Sequence, residues 1–120
     1  MNYYVNTQAI EAVNEGLDTP TYLTDDAGER AFKLKYVSTD GWRGYYDVVP
    51  TKKHGWEKLD SDWVTGNWDD APEDNREDSV EDKLDKLSEE LGADGYKLAV
   101  VFAPTSNVFS TSYDIFKKKV

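Results

Sequence analysis

The chain has 120 residues, no cysteine and a formal net charge of -10. Its length fits one domain with a modest core, and four Trp, eight Tyr and four Phe supply bulk that a disordered chain lacks. The missing cysteines exclude disulfides and thiolate metal sites, and no apolar run approaches the roughly 20 residues of a membrane span.

The segment from Asn6 to Leu17 reads as a short helix. Asn6 or Thr7 supplies the cap, Ile10, Val13 and Leu17 fall at helical spacing, and Gly16 stands near the end. From Thr19 to Pro50 the pattern changes to a period of two, with Phe32, Leu34 and Tyr36 on one face and Lys33 and Lys35 on the other. Turn signals at Asp25–Gly28 and Thr39–Gly41 make this a meander. Trp56, Leu59, Trp63 and Val64 continue it less regularly, which allows a bulge.

An acidic linker at about 67–78 leads into a helix over about 79–91. Ser79 and Asp82 form a capping box, Val80, Leu84, Leu87 and Leu91 form one apolar stripe, and Gly92 provides a left-handed stop. Leu98, Val100 and Phe102 alternate with Ala99, Val101 and Ala103, the mark of a central strand covered on both faces. A last strand follows with Phe109, Tyr113 and Ile115 inward and terminal lysines that blunt an edge. The expected fold is α+β: one domain over 1–120, with a single mainly antiparallel sheet of about five to six strands carrying the two helices.

Charge is concentrated in the middle of the chain. Acids and bases number eleven and seven over 1–68, eleven and three over 69–90, and two and four over 91–120, giving -4, -8 and +2. Such a chain repels nucleic-acid phosphates and anionic membranes, and it attracts basic proteins. The opening residues carry neither a basic cluster nor an apolar run, so a cytoplasmic, soluble protein is expected.

The residues for catalysis are sparse. His54 is the one histidine, in a basic turn, and no G-x-S-x-G elbow, H-E-x-x-H pair or phosphate-cradling glycine array occurs. No catalytic residue, metal or cofactor is expected, and the protein reads as a non-enzymatic interaction protein. Asp60 and Asp62 would share one side of an extended strand. With Trp56, Trp63 and Trp68 they define an alternative, a small ligand-binding or enzymatic cleft, against which stands the strong tendency of Trp to fill cores. Arg43 could stack on a neighbouring ring.

The helix carries a second row. Asp78, Asp82, Asp85 and Glu89 repeat the spacing of the apolar stripe two residues out of phase. Asp78 and Asp82 are a like-charge pair one turn apart, and Glu89 and Glu90 oppose the dipole in the last turn; such local violations accumulate at surfaces under functional demand. Successive acids lie about 5–6 Å apart, an approximation to a nucleic-acid charge ladder. In size and charge the chain resembles small acidic phage and plasmid proteins that occupy basic grooves, although no family motif carries the likeness. The expected contact surface is Asp69, Asp70, Glu73, Asp74, Glu77, Asp78, Asp82, Asp85 and Glu89, against a basic protein such as one that binds DNA or RNA. The alternative use of this face is to maintain solubility.

Overall fold

The structure, a computed structural model, describes residues 3–16, 20–38, 44–65, 78–103 and 110–120, without the side chains at 14, 38, 45, 63–65, 78–82, 110 and 111. Its elements are β1 (Tyr4–Asn6), α1 (Gln8–Asn14), β2 (Tyr22–Thr24), β3 (Arg30–Ser38), β4 (Gly44–Pro50), a single 3₁₀ turn (Lys52–His54), β5 (Trp56–Thr65), α2 (Asp78–Ala93), β6 (Tyr96–Ala103) and β7 (Ser110–Lys119).

The fold is α+β, but the strands form two sheets where one is expected. One runs β1-β6-β7-β5 and the other β2-β3-β4. The reason lies in β6 and β7, which are apolar on both faces. On one face Leu98, Val100, Phe102, Tyr113 and Ile115 pack against Leu84 of α2 and Ile10 of α1, with Leu87 and Leu91 alongside. A helix on that face leaves Ala99, Val101, Ala103 and Phe116 bare on the other. Leu23, Phe32, Leu34 and Val48 of the meander cover them, joined by Trp56. Joining the meander edge to edge would have exposed this second apolar face to water, at about 25 cal/mol per Å². The result is three layers: helix, four-stranded sheet, three-stranded sheet.

Pairing is antiparallel except for β1, which lies parallel to β6 with Val5 opposite Val100. Three residues of strand leave no alternation to read, and β1 is absent from the sequence-based expectation. Thr7 is the N-cap residue of α1 and makes no side-chain capping bond, while Asn6, one residue earlier, accepts from the Gln8 N–H through its Oδ1 at 2.9 Å. Its amide donates to the Thr24 carbonyl at 2.7 Å, tying the helix start to β2. Ile10 is buried as expected, whereas Val13 is 47% exposed; Leu17 lies outside the described residues. Seven residues make two turns, too short for a three-member stripe to reach the core.

The Asp25 turn forms as read, with Gly28 at φ 78° and its N–H bonded to the Asp25 carbonyl at 3.0 Å. The turn at Thr39–Gly41 lies outside the described residues. Phe32 and Leu34 are buried, but Tyr36, on the same face, is 60% exposed and packs edge-on against Tyr46. Two further corrections concern termini. The α2 helix runs through Gly92 to Ala93, and the left-handed residue is Gly95 at φ 84°. Strand β7 lies between β6 and β5, so its lysines cap an interior strand while β1 and β5 form the edges. There they stand over rings: Lys117 and Lys119 at 4.6 and 4.9 Å from the centre of Tyr96, Lys118 at 5.9 Å from that of Trp56. No helix among the described residues is long and apolar enough to cross a membrane.

Candidate functional site

The orientation of α2 follows from its apolar stripe, which seats Leu84 fully and Leu87 and Leu91 partly in the core. Ser88, next in that stripe, is buried too and returns its hydroxyl to the Asp85 carbonyl at 3.1 Å. At about 100° per residue, Lys83 falls on one flank of Leu84 and Asp85 and Glu89 on the other. The Lys83 flank faces β5: its ammonium lies 3.4 Å from the Asp62 carboxylate and 3.7 Å from that of Asp60. The Asp85 and Glu89 flank therefore faces away from β5, with Glu89 exposed and Asp85 half-buried. Positions 78 and 82 of the helix backbone continue that row, without described side chains. Asp69, Asp70, Glu73, Asp74 and Glu77, the linker part of the expected contact surface, lie outside the described residues.

The β5 strand contains the bulge that the sequence allows. Lys58 pairs with Phe116 and Asp60 with Ile115, so Leu59 is the extra residue. The bulge switches the parity of the strand. Before it Trp56 and Lys58 face the second sheet; after it Ser61 takes that side, while Asp60 and Asp62 turn toward α2. Lys58 and Asp60, two apart in sequence, are thus on opposite faces of the sheet, and Trp56 does not share a surface with Asp60 and Asp62.

Trp56 belongs to the core, 4% exposed and in contact with Phe32 at a centroid distance of 5.6 Å. Its indole N–H donates to Asp25 Oδ2 at 3.2 Å, and Lys97 stands 5.5 Å over its ring. This ring cannot serve as a binding platform. Trp63 has no described side chain, and Trp68, Trp42 and Arg43 lie outside the described residues. A depression of about 330 Å³ opens elsewhere, between α1 and β2, lined by Glu11, Glu15, Tyr22 and Arg30 among others. None of the expected cleft residues borders it.

Two acids whose burial sequence reasoning did not show, Asp25 and Asp114, are buried, as is Tyr113, which it placed inward. Asp25 is 3% exposed. Burial alone would raise its pKa, but the Glu29 N–H, the Trp56 indole, the Ala27 N–H and the charge of Lys118 outweigh it and hold the carboxyl below its ordinary value. Asp114 lies between the sheets, accepts from the Ser61 hydroxyl and the Val48 N–H, and has Lys58 at 3.8 Å. Lys58 also pairs with Asp47 at 2.9 Å. Burial dominates there, and the Asp114 carboxyl is pushed up. Tyr113, opposite Asp62 on the α2 side, has its phenol pushed up to about 12, first by burial and then by the charges of Asp62 and Asp60. Its buried hydroxyl also donates to the Asp62 carboxylate, in poor geometry, which raises the pKa further. The sequence signal for Asp114 and Tyr113 is an acid or phenol within an apolar strand, in the run Tyr113-Asp114-Ile115-Phe116, whereas Asp25 is marked only as a turn residue.

No protein-family model, curated protein or solved structure matches this chain.

Proposed function

We propose that this is an acidic interaction protein whose contact surface is the outer flank of α2 together with the acidic segment that precedes it, and whose partner is a basic protein surface. The observation that supports this reading is the inequality of the two flanks. On one side Lys83 lies against Asp60 and Asp62, so charge there is matched locally. On the other, the row containing Asp85 and Glu89 faces away from β5, with Glu89 exposed. An apolar stripe fixed in the core makes this a rigid presentation, which lowers the ordering cost of binding.

The finer form of the proposal is a mimic of a nucleic-acid backbone that occupies the groove of a DNA- or RNA-binding protein. The separation of the acids along the helix and the -8 of residues 69–90 favour it. The alternative ligand-binding cleft has the burial of Trp56 against it.

Capture from lysate at low and at high salt tests the reading. A basic partner retained only at low salt, and competed off by duplex DNA or structured RNA, is the expected result. A partner retained equally at both salts would place the contact on an apolar surface and sink the proposal. Capture of no protein at either salt would leave the acidic face a means of staying in solution.

A further inference from the structure

We propose that the two sheets part along the side formed by β4 and β5, and that Lys58 and Asp114 are the pH-sensitive latch that holds this side shut. The latch lies between the sheets and is independent of the proposed partner surface on α2.

Each sheet has two edge strands, and the two sides where those edges meet are closed differently. On the side of β1 and β2 the bonds converge on Thr24. Its carbonyl accepts from the Asn6 amide at 2.7 Å and the Tyr4 hydroxyl at 3.2 Å, its N–H donates to Gln8 Oε1 at 2.9 Å, and its hydroxyl accepts from Gln8 Nε2 at 2.9 Å. The chain from β1 into α1 is thereby tied to β2. On the side of β4 and β5 the polar bridges among the described residues are those of Lys58 to Asp47 and of Asp114 to the Val48 N–H. The Trp56–Asp25 and Lys97–Asp26 contacts join the first sheet to the turn between β2 and β3, and do not reach β4.

The register explains why a carboxyl is needed there. The Leu34 N–H donates to the Thr21 carbonyl, so Leu34 faces β2, and Val48 opposite it turns its own N–H away from β3 to the free edge of β4. Asp114 reaches across from β7 to accept that N–H, and accepts the Ser61 hydroxyl as well. Lys58 then stands 3.8 Å from Asp114 and 2.9 Å from Asp47, one ammonium shared between a side chain 13% exposed and one 40% exposed. The charges that bear on Asp114 are Lys58 from β5 and Asp47 from β4; opposite it on β6 is the uncharged Val101. Parting the sheets would return this carboxyl to water. Burial holds its pKa up in the closed form, so closure is favoured most below the ordinary carboxylate value of about 3.9 and loosens as pH rises through the raised one.

The chain has no cysteine, so a single introduced thiol reports on its own position alone. Val48→Cys on β4 and Leu23→Cys on β2 each place one at a fully buried position, one per side. Labelling by a dithiodipyridine, divided by the rate for the urea-unfolded chain at the same pH, measures how often each side opens. Adding Lys58→Met should speed labelling of Val48→Cys several-fold and leave that of Leu23→Cys unchanged, and adding Gln8→Ala should do the reverse. Labelling of Val48→Cys should also rise with pH through the titration of Asp114, and Asp114→Asn should remove that rise. If Lys58→Met does not fold, Asp47→Asn breaks the same bridge from its exposed end and carries the same expectation. Equal acceleration of both thiols would mean that the molecule opens as a whole, and no acceleration of Val48→Cys would mean that Lys58 holds nothing; either overturns the proposal. A rise with pH that persists in Asp114→Asn takes that carboxyl out of the latch and overturns it in the form given.

Discussion

Asp25 and Asp114 are both buried acids, yet they respond to pH with opposite sign. Asp25 Oδ1 accepts the Ala27 and Glu29 N–H groups at 2.9 and 3.0 Å and Oδ2 the Trp56 indole at 3.2 Å. Its folded pKa is lowered, so its contribution is present above the unfolded carboxylate value of about 3.9 and is lost as pH falls through the folded one. Asp25→Asn keeps an oxygen for the two amides but sets an NH₂ against the indole N–H, and should cost about 1–3 kcal/mol at pH 7 by urea denaturation. Its acid limb should also be flatter than that of wild type. Asp114 has a raised folded pKa, so its stabilisation relative to the unfolded chain is present at low pH and is lost as pH rises through the folded value. Asp114→Asn should therefore steepen the acid limb. At the alkaline end Tyr113 acts in the same sense as Asp114: stability present below an unfolded pKa of about 10 is lost as pH rises through about 12. Tyr113→Phe should melt close to the wild-type temperature at pH 7, because the hydrogen bond it removes, from the buried hydroxyl to Asp62, has poor geometry, and should not show that alkaline loss. A marked drop in its stability at neutral pH would mean that the hydroxyl has a good partner.

At the scale of elements, α2 is the one whose place in the fold depends most on a single row of side chains. Leu84→Asp puts an unpaired charge where the wild-type residue is 4% exposed, and should cost several kcal/mol or unfold the protein. A melt superimposable on wild type would mean that α2 is seated on another face. Its end makes a sharper test. Gly92 is helical with open space where a Cβ would point, so Gly92→Ala should stabilise by up to about 1 kcal/mol. Gly95 holds φ 84°, so Gly95→Ala should destabilise by about 1–2 kcal/mol although the new methyl would meet nothing closer than 3.9 Å. Sequence reading assigns the stop to the wrong glycine, because composition marks a glycine near the helix end but not which one leaves the helix. The same division recurs through the fold. The amphipathic helix and the doubly apolar β6 were legible, since each rests on a period repeated along the element itself. The second sheet was not, because which surface covers a bare face is decided between elements. The site suffered from the same limit: an inserted Leu59 reverses the parity of β5, so Trp56, Asp60 and Asp62 read as neighbours while the fold turns Trp56 to one face of the sheet and both acids to the other.

For the whole molecule, the question is how a chain of net charge -10 keeps its repulsion from opening the fold. Part of the answer is segregation. Lysines 97, 117, 118 and 119 gather at one end of the four-stranded sheet, where Lys97 pairs with Asp26 at 3.0 Å and Lys117 with Glu57 at 3.8 Å. The excess of acid is carried by 69–90, whose helix is anchored by apolar contacts that do not depend on charge. Folding and surface charge are thereby separable, and the proposed function can be tested without unfolding the protein. Converting Asp78, Asp82 and Asp85 to Asn and Glu89 to Gln removes four charges, taking -10 to -6. Relief of like-charge repulsion along the helix and loss of favourable dipole interaction in its first turn are each worth a few tenths of a kcal/mol and oppose one another. The melting temperature should stay close to that of wild type. Binding to a basic partner should not, because truncating one side of a desolvated charge pair commonly costs about 2–5 kcal/mol and long-range steering weakens with it. The quadruple variant is thus expected to fold normally and to lose the salt-sensitive partner. Were it to retain that partner with unchanged affinity and salt dependence, the row on α2 would be only a solvated face, and the contact would have to lie on the sheets or their lysine-rich end.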